Sequence, residues 1–156
     1  MESSSFQYEC IVKKNWVDYN CHMNDAEYAK VFSLALDQWI EEIGLDQNAR
    51  NDYGYTIFTL ETHLCYLQEV HEGQNLNVSL QLLDNDEKRI HVIFLMKNDE
   101  NKVVATSEQM LMGIDTQTNR PAPFPDVIAK NIDELNENQK EMEAPKQAGR
   151  RIGIKR

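Results

Sequence analysis

The stretch Trp16–Tyr28, WVDYNCHMNDAEY, carries the residues whose types and spacing could do chemistry. It reads as the end of a strand, a tight polar turn and the start of a helix. Asp18 sits in the turn, and Asn24 is a good N-cap, with Glu27 three residues later in near capping-box spacing. A carboxylate therefore precedes a helix start whose free N–H groups, at about Asp25, can hold a polarised oxygen. An acid facing an electrophile held in that way suits hydrolysis without a metal. Asn24 can also orient the electrophile or a water, and His22 can be a second catalytic group, but the same residues have plainer readings. Asp18 can simply form the turn, Asn24 can simply cap, Asp25 and Glu27 can be surface acids that offset the helix dipole, and His22 can bond backbone in the turn rather than act in catalysis.

The surrounding pattern is what must position this turn. Phe6, Tyr8, Cys10 and Val12 alternate, giving a first strand within Phe6–Lys13. From about Asp25 to Ile43 the residues Tyr28, Phe32, Ala35, Trp39 and Ile43 form one helical stripe, widened by Val31, Leu34, Leu36 and Ile40. Gly44 is the natural stop, and Asp46–Gly54 reads as a polar loop. A period of two takes over from Tyr55. A long strand, TIFTLETHLCYLQEV, is followed by Leu76–Leu82, Ile90–Met96 and Val103–Ile114, joined by polar hairpins. Pro121, Pro123 and Pro125 end the pattern, and Asp126–Met142 reads as a short helix with Val127, Ile128, Ile132 and Leu135 inside. One long apolar helix against an antiparallel meander is an α+β architecture. The expected organisation is one domain over 1–142 and a basic tail over 143–156, partly disordered or carrying a strand at Ile152 and Ile154.

Composition excludes several classes. The chain has 156 residues, 41% of them hydrophobic and 27% charged, as in an ordinary globular protein. Its net charge of −10 gives little field for nucleic acid or anionic lipid. No apolar run approaches the roughly 18 residues of a membrane span, and MESSSFQYEC lacks the features of a signal peptide. Cys10, Cys21 and Cys65 show neither pairing nor metal spacing, and His22, His63, His71 and His91 are scattered. These features lead to the expectation of a cytoplasmic protein with no metal and no cofactor.

The pattern D-x-x-x-H-M-N-x-x-x-Y, formed by Asp18, His22, Met23, Asn24 and Tyr28, resembles the 4-hydroxybenzoyl-CoA thioesterase family of hotdog-fold acyl-CoA thioesterases. Support continues through the long helix, Tyr66–Leu67, Gly73, Val104–Ala105 and Asp115, covering roughly Phe6 to Asp115. The block DYNCHMNDAEY is also similar to the branch associated with carnitine breakdown, which acts on betainyl-CoA. The resemblance implies a hotdog fold, one central helix wrapped by the sheet, and a homodimer or homotetramer with sites at the dimer interface. It implies that Asp18 is the catalytic carboxylate, as nucleophile or general base, and that a backbone N–H at about Asp25 polarises the thioester carbonyl. Many relatives carry Gly where this chain has Cys21, so a positive φ there would strain the turn.

Further candidates concern the acyl-CoA. Glu61 and His63 lie two apart on one strand face, as a solvent or dimer-edge pair or as the wall of a pocket for a polar acyl group. For a betainyl group, Trp16, Tyr19, Tyr53 and Glu61 are the candidate parts, because a quaternary ammonium favours aromatic faces and an acid. Glu108 calls for a structural partner. Arg150 and Arg151, with Lys155 and Arg156, form a dense basic cluster for CoA phosphates, or a solubilising tail. Two other functions compete with thioester hydrolysis: a hotdog dehydratase or hydratase on acyl thioesters, and a non-catalytic acyl-CoA-binding module.

Overall fold

The protein, here as a computed structural model, is described over residues 5–156. The Met1–Ser4 part of the stretch judged unlike a signal peptide lies outside the described residues. Strand β1 (Gln7–Ile11) leads through a single 3₁₀ turn at Lys14–Trp16 into the Asp18 turn and helix α1 (Asp25–Glu42). Helix α2 (Gln47–Tyr53) precedes the long strand β2 (Tyr55–Tyr66). Strands β3 (Asn75–Asn85), β4 (Arg89–Lys97) and β5 (Val103–Asp115) follow as a meander. The two-residue β6 (Arg120–Pro121) and helix α3 (Asp126–Gln139) complete the order. The antiparallel sheet runs β1-β3-β4-β5-β2, with β6 on β5.

Helix α1 lies on one face of this sheet. Tyr28, Val31, Phe32, Ala35 and Trp39 are buried with Val78, Val92, Phe94 and Leu111 from the strands. Each large side chain in that set contributes about 1.5–3 kcal/mol relative to exposure. Phe32 and Phe94 meet at 6.3 Å between ring centroids, in the middle of the helix–sheet contact. The expected α+β architecture, with one long helix against a meander, is therefore present.

Two local readings need correction. Asp46–Gly54 is not a loop: α2 fills it, with the Asp46 carboxylate accepting from Ala49 N at 2.9 Å and Gly54 closing it at φ 61°. This helix buries no residue, so it has no apolar stripe for a periodicity to reveal. At the other end, Ile152 and Ile154 form no strand and are 85% and 82% exposed.

The sheet face opposite α1 is also covered. Gln81, Ile93 and Glu108 form one cross-strand row on that face, and Ile93 is fully buried. Residues 143–149 cross over the row. The Gln81 side-chain amide donates to the Glu143 carbonyl at 3.3 Å, and Gly149 N donates to Glu108 Oε1 at 2.8 Å. Beyond the end of β1, the exposed edge of β3 is taken by one side chain of α3. Gln139 Oε1 accepts from Leu82 N at 2.7 Å, and its Nε2 donates to Leu80 O at 3.1 Å. An edge that would otherwise pair with another strand is thereby blocked. At the β3–β4 turn, the Arg89 side-chain hydrogen bond and the Lys88 N–H hold the Asp86 carboxyl down at about 2.

Gly113 is a point of close approach. The Tyr55 hydroxyl passes over it and donates to Ala122 O at 2.7 Å, and a methyl group at Gly113 would overlap Tyr55 Oη. Gly113→Ala is expected to destabilise the fold by about 2–4 kcal/mol, through overpacking and loss of that hydrogen bond. A matching fall in the urea midpoint checks this.

Candidate active site

The Asp18 turn is a closed loop clipped to the start of α1. Val17 bridges Met23, Asp18 N donates to His22 O at 2.9 Å, and Cys21 N donates to Asp18 O at 2.9 Å. Asn24 N donates to Trp16 O at 2.9 Å, which fixes where the helix begins. Within the loop, Asp18 Oδ1 accepts from Asn20 N at 2.8 Å and from His22 N at 3.3 Å. Oδ2 accepts no hydrogen bond among the described residues. The carboxylate is thus oriented through one oxygen and has the other free.

The helix start is open in a matching way. Asn24 occupies the N-cap position, but its side chain makes no capping bond. The near capping box does not form, because Asn24 N is already committed to Trp16 O. Ala26 N donates to the Asp25 carboxylate at 2.9 Å, and Glu27 N to Asn24 O at 2.9 Å. Asp25 N is left without a partner among the described residues. It is a free donor at the positive end of a helix of 18 residues. Glu27 is no surface acid: it is half-buried, and its Oε2 is buried without a partner among the described residues.

His22 belongs to the turn. Its ring Nε2 lies 3.1 Å from Glu69 Oε2, and the ring meets His71 edge-on at 4.9 Å. His71 Nδ1 in turn lies 3.3 Å from Cys21 O. Cys21 has φ 65°, the left-handed conformation for which Gly is the usual choice.

Aromatic contacts follow the start of α1. Tyr28 and Tyr66 meet edge-to-face at 5.3 Å, and Tyr28 donates to Gln68 O at 3.2 Å. Burial first, and the Asp25 charge second, hold the Tyr66 phenol above its ordinary value. Further along, Ala29, Ser33 and Leu36 of α1 face Leu64, Thr62 and Thr59 of β2 across a recess of about 470 Å³.

The remaining candidates do not gather here. Trp16 is buried, with the Lys13 ammonium 5.3 Å from its ring centre, and lines a different recess of about 730 Å³ beside β1. Tyr19 is 94% exposed in the turn, and Tyr53 ends α2 half-exposed. Glu61 and His63 share a face, as expected, but a bulge between Thr59 and Glu61 accompanies their placement opposite α1. There they line a recess of about 450 Å³ with His91, Glu108 and Arg150. Glu108 has the partner it needs: His91 Nε2 lies 2.7 Å from its Oε2. Arg151 follows Arg150 and is exposed. Trp16, Tyr19, Tyr53 and Glu61 therefore do not make one cation pocket within a chain.

A curled antiparallel sheet against one long helix is the hotdog arrangement, here with the Asp18 turn clipped to an uncapped helix start. The family model of the thioesterase-like superfamily matches residues 12–132. The chain is 40% identical to the betainyl-CoA thioesterase of Pseudomonas aeruginosa, over 94% of this chain and 93% of that protein. It is 38% identical to the L-carnitine dehydrogenase/betainyl-CoA thioesterase of Agrobacterium fabrum, over 91% of this chain and 29% of that longer one. A Staphylococcus aureus protein solved in complex with CoA superimposes with a TM-score of 0.94 at 33% identity, covering 99% of this chain and 98% of that one. The chain belongs to the thioesterase-like superfamily.

Relief of the one strained residue in the turn gives a simple test of the local geometry. Cys21→Gly is expected to stabilise the protein by about 0.5–1 kcal/mol, because Gly adopts this φ without steric cost. A urea midpoint that moves down instead would contradict the strained turn.

Proposed function

We propose that this acyl-CoA thioesterase hydrolyses betainyl-CoA to the free acid and CoA. The observation that carries the chemistry is the pairing of a free Asp18 Oδ2 with an unpartnered Asp25 N–H, on either side of the Val17–Met23 bridge. The choice of acyl group is supported by 40% identity to a betainyl-CoA thioesterase over nearly the whole of both chains.

In this reading the thioester carbonyl oxygen accepts from Asp25 N, where negative charge develops in the transition state. Asp18 either takes a proton from water as it attacks the carbonyl carbon, or attacks that carbon itself to form an anhydride that water then opens. In both routes the C–S bond breaks, the sulfur leaves as the CoA thiol, and the oxygen of one water ends in the products. Asn24 sets the helix start through its backbone, and His22 holds the turn through Glu69 and the loop hydrogen bonds.

The working unit in this reading is a homodimer, itself able to pair into a tetramer. Strand β2 ends the sheet and leaves one edge unpaired over its 12 residues, with Phe58, Leu60 and Tyr66 about half exposed. A long apolar edge of this kind is a template for pairing with a second copy, and the recess between α1 and β2 opens at the same edge. The three cysteines, all free, fit the reducing cytoplasm proposed as its location. No helix among the described residues is long and apolar enough to cross a membrane.

Free-thiol release from short aliphatic, long aliphatic, aromatic and betainyl-CoA tests the activity. Asp18→Asn is expected to lower kcat about 10²–10⁴-fold, the usual contribution of a positioned acid–base group, with KM little changed. Full activity in that variant would remove Asp18 from the mechanism. Separately, Leu60→Glu is expected to shift the protein toward monomer in sedimentation velocity. An unchanged sedimentation coefficient would rule out pairing through β2.

A further inference from the structure

Residues 143–149 follow one line across the sheet. Gln81 of β3 pairs with Ile93 of β4, Ile93 with Glu108 of β5, and Glu108 with His63 of β2, so these four form a single row on the face opposite α1. The segment meets Gln81 through the Glu143 carbonyl and Glu108 through Gly149 N. Arg150 then lines a recess with Glu61 and His63, so the chain has reached β2, the last strand of the sheet. On this heading the next residues pass over the free edge of β2. They are exposed throughout, with Ile152 at 85% and Ile154 at 82%. Two isoleucines so exposed gain almost nothing from the rest of their own chain.

The edge they reach is complementary to itself. Strand β2 has 12 residues. Antiparallel pairing of two copies over that full length sets Tyr55 against Tyr66, and therefore Phe58 against His63 and Thr59 against Thr62. Residues paired in this way face the same side of a sheet. In an unbroken strand Phe58 and His63, an odd number of positions apart, would face opposite sides. The bulge between Thr59 and Glu61 reverses the alternation. Phe58 pairs with Met112 and His63 with Glu108, both on the outer face, while Thr59 and Thr62 both face α1. The bulge thus makes this register possible, and in it the row through Glu108 and His63 runs on into Phe58 and Met112 of the second copy.

Reach and charge agree with that path. Two strand spacings, about 10 Å, separate Glu108 from β2 of the second copy. The extended stretch from Arg150 to Ile152 covers about 10 Å. Ile152 therefore arrives over Phe58, which is 47% exposed, and Ile154 over the half-buried Met112 beyond it. The same register puts Glu61 of both copies beside the two-fold axis, each opposite Leu60. Glu61 is exposed and in no ion pair among the described residues, so two like charges would meet there. Residues 150–156 bring four of the chain's 16 basic residues, and none of its 26 acids, to that place.

We propose that residues 150–156 are an arm that crosses the β2 edge and packs on the outer face of a second copy of this chain. Ile152 packs on Phe58 and Ile154 on Met112 of that copy, and Arg150 and Arg151 lie between the two Glu61 carboxylates. This rests on the pairing through β2 proposed above and adds the segment that clasps it. The basic cluster then serves the interface rather than CoA phosphates.

The dimer dissociation constant, from sedimentation velocity over a dilution series, tests the arm. Ile152→Ser combined with Ile154→Ser is expected to raise it about 10-fold or more, the effect of losing roughly one buried aliphatic side chain. Phe58→Ser is expected to raise it comparably. All three changes together are expected to raise it by less than the product, because they remove the same contact. An unchanged constant in the isoleucine variant, with the dimer still broken by Leu60→Glu, would overturn the arm and leave the pairing through β2 standing. Fully multiplicative effects of the isoleucine and Phe58 changes would overturn the assigned contact. A wild type that stays monomeric, or a dimer indifferent to Leu60→Glu, would overturn the pairing and the arm with it.

Discussion

Two backbone contacts, the Val17–Met23 bridge and the Asn24 N–H on the Trp16 carbonyl at 2.9 Å, decide where the carboxylate stands relative to the helix. They close a loop so short that Asp18 has little freedom, and its Oδ1 then satisfies two N–H groups of the same loop. The second contact also uses the Asn24 N–H that a capping box would have needed. Orientation of the acid and openness of the helix start thus come from one arrangement. A helix that capped itself with Asn24 and Glu27 would be more stable at its first turn, but its donors would already be occupied. The left-handed Cys21 belongs to the same trade, because the loop closes only with one residue at positive φ.

Longer-range packing holds the clip in place. Met23 N donates to Val70 O, His22 bridges His71, and Glu69 meets the His22 ring, so the segment after β2 forms a wall behind the turn. Buried Trp16 and Met23 anchor the two ends of the loop in the core. The turn is exposed but not loose: the exposed residues are suspended between buried ones. This fits a site that must present a charged oxygen to solvent and substrate while keeping it in one orientation.

The main elements were legible because their periodicities are long and clean: the stripe from Tyr28 to Ile43, and the alternation of β3 and β4. The turn was legible from local chemistry, and the positive φ at Cys21 from the glycine that relatives carry there. What escaped was of two kinds. Helix α2 is held by its caps, Asp46 and Gly54, with no buried residue, so hydrophobic patterning had nothing to report. The other misses are questions of which face a strand presents. In β5 the methionines at 110 and 112 make the Glu108 face look like the core, but the α1 side is that of Ser107, Gln109 and Leu111. On the outer face Ile93 is buried because residues 143–149 cover its row, and no local pattern announces a cover arriving from some 40 residues away.

That inversion bears on function. An alternation rule assigns polar residues to solvent, so Ser107 and Gln109 read as surface positions once apolar residues are placed inside. The fold puts Ser107 and Gln109 under α1 instead, where burial makes each polar atom costly unless it is matched. Ser107 and the Gln109 amide match each other, and one oxygen remains. Meanwhile the acids and imidazoles that drew attention in the sequence, Glu61, His63, His91 and Glu108, are on the outer face, where Glu108 fastens the C-terminal segment through Gly149. The two faces of one sheet have therefore divided their polar residues by role. Glu108 serves attachment of the chain's own tail, and the neutral residues lie on the α1 side.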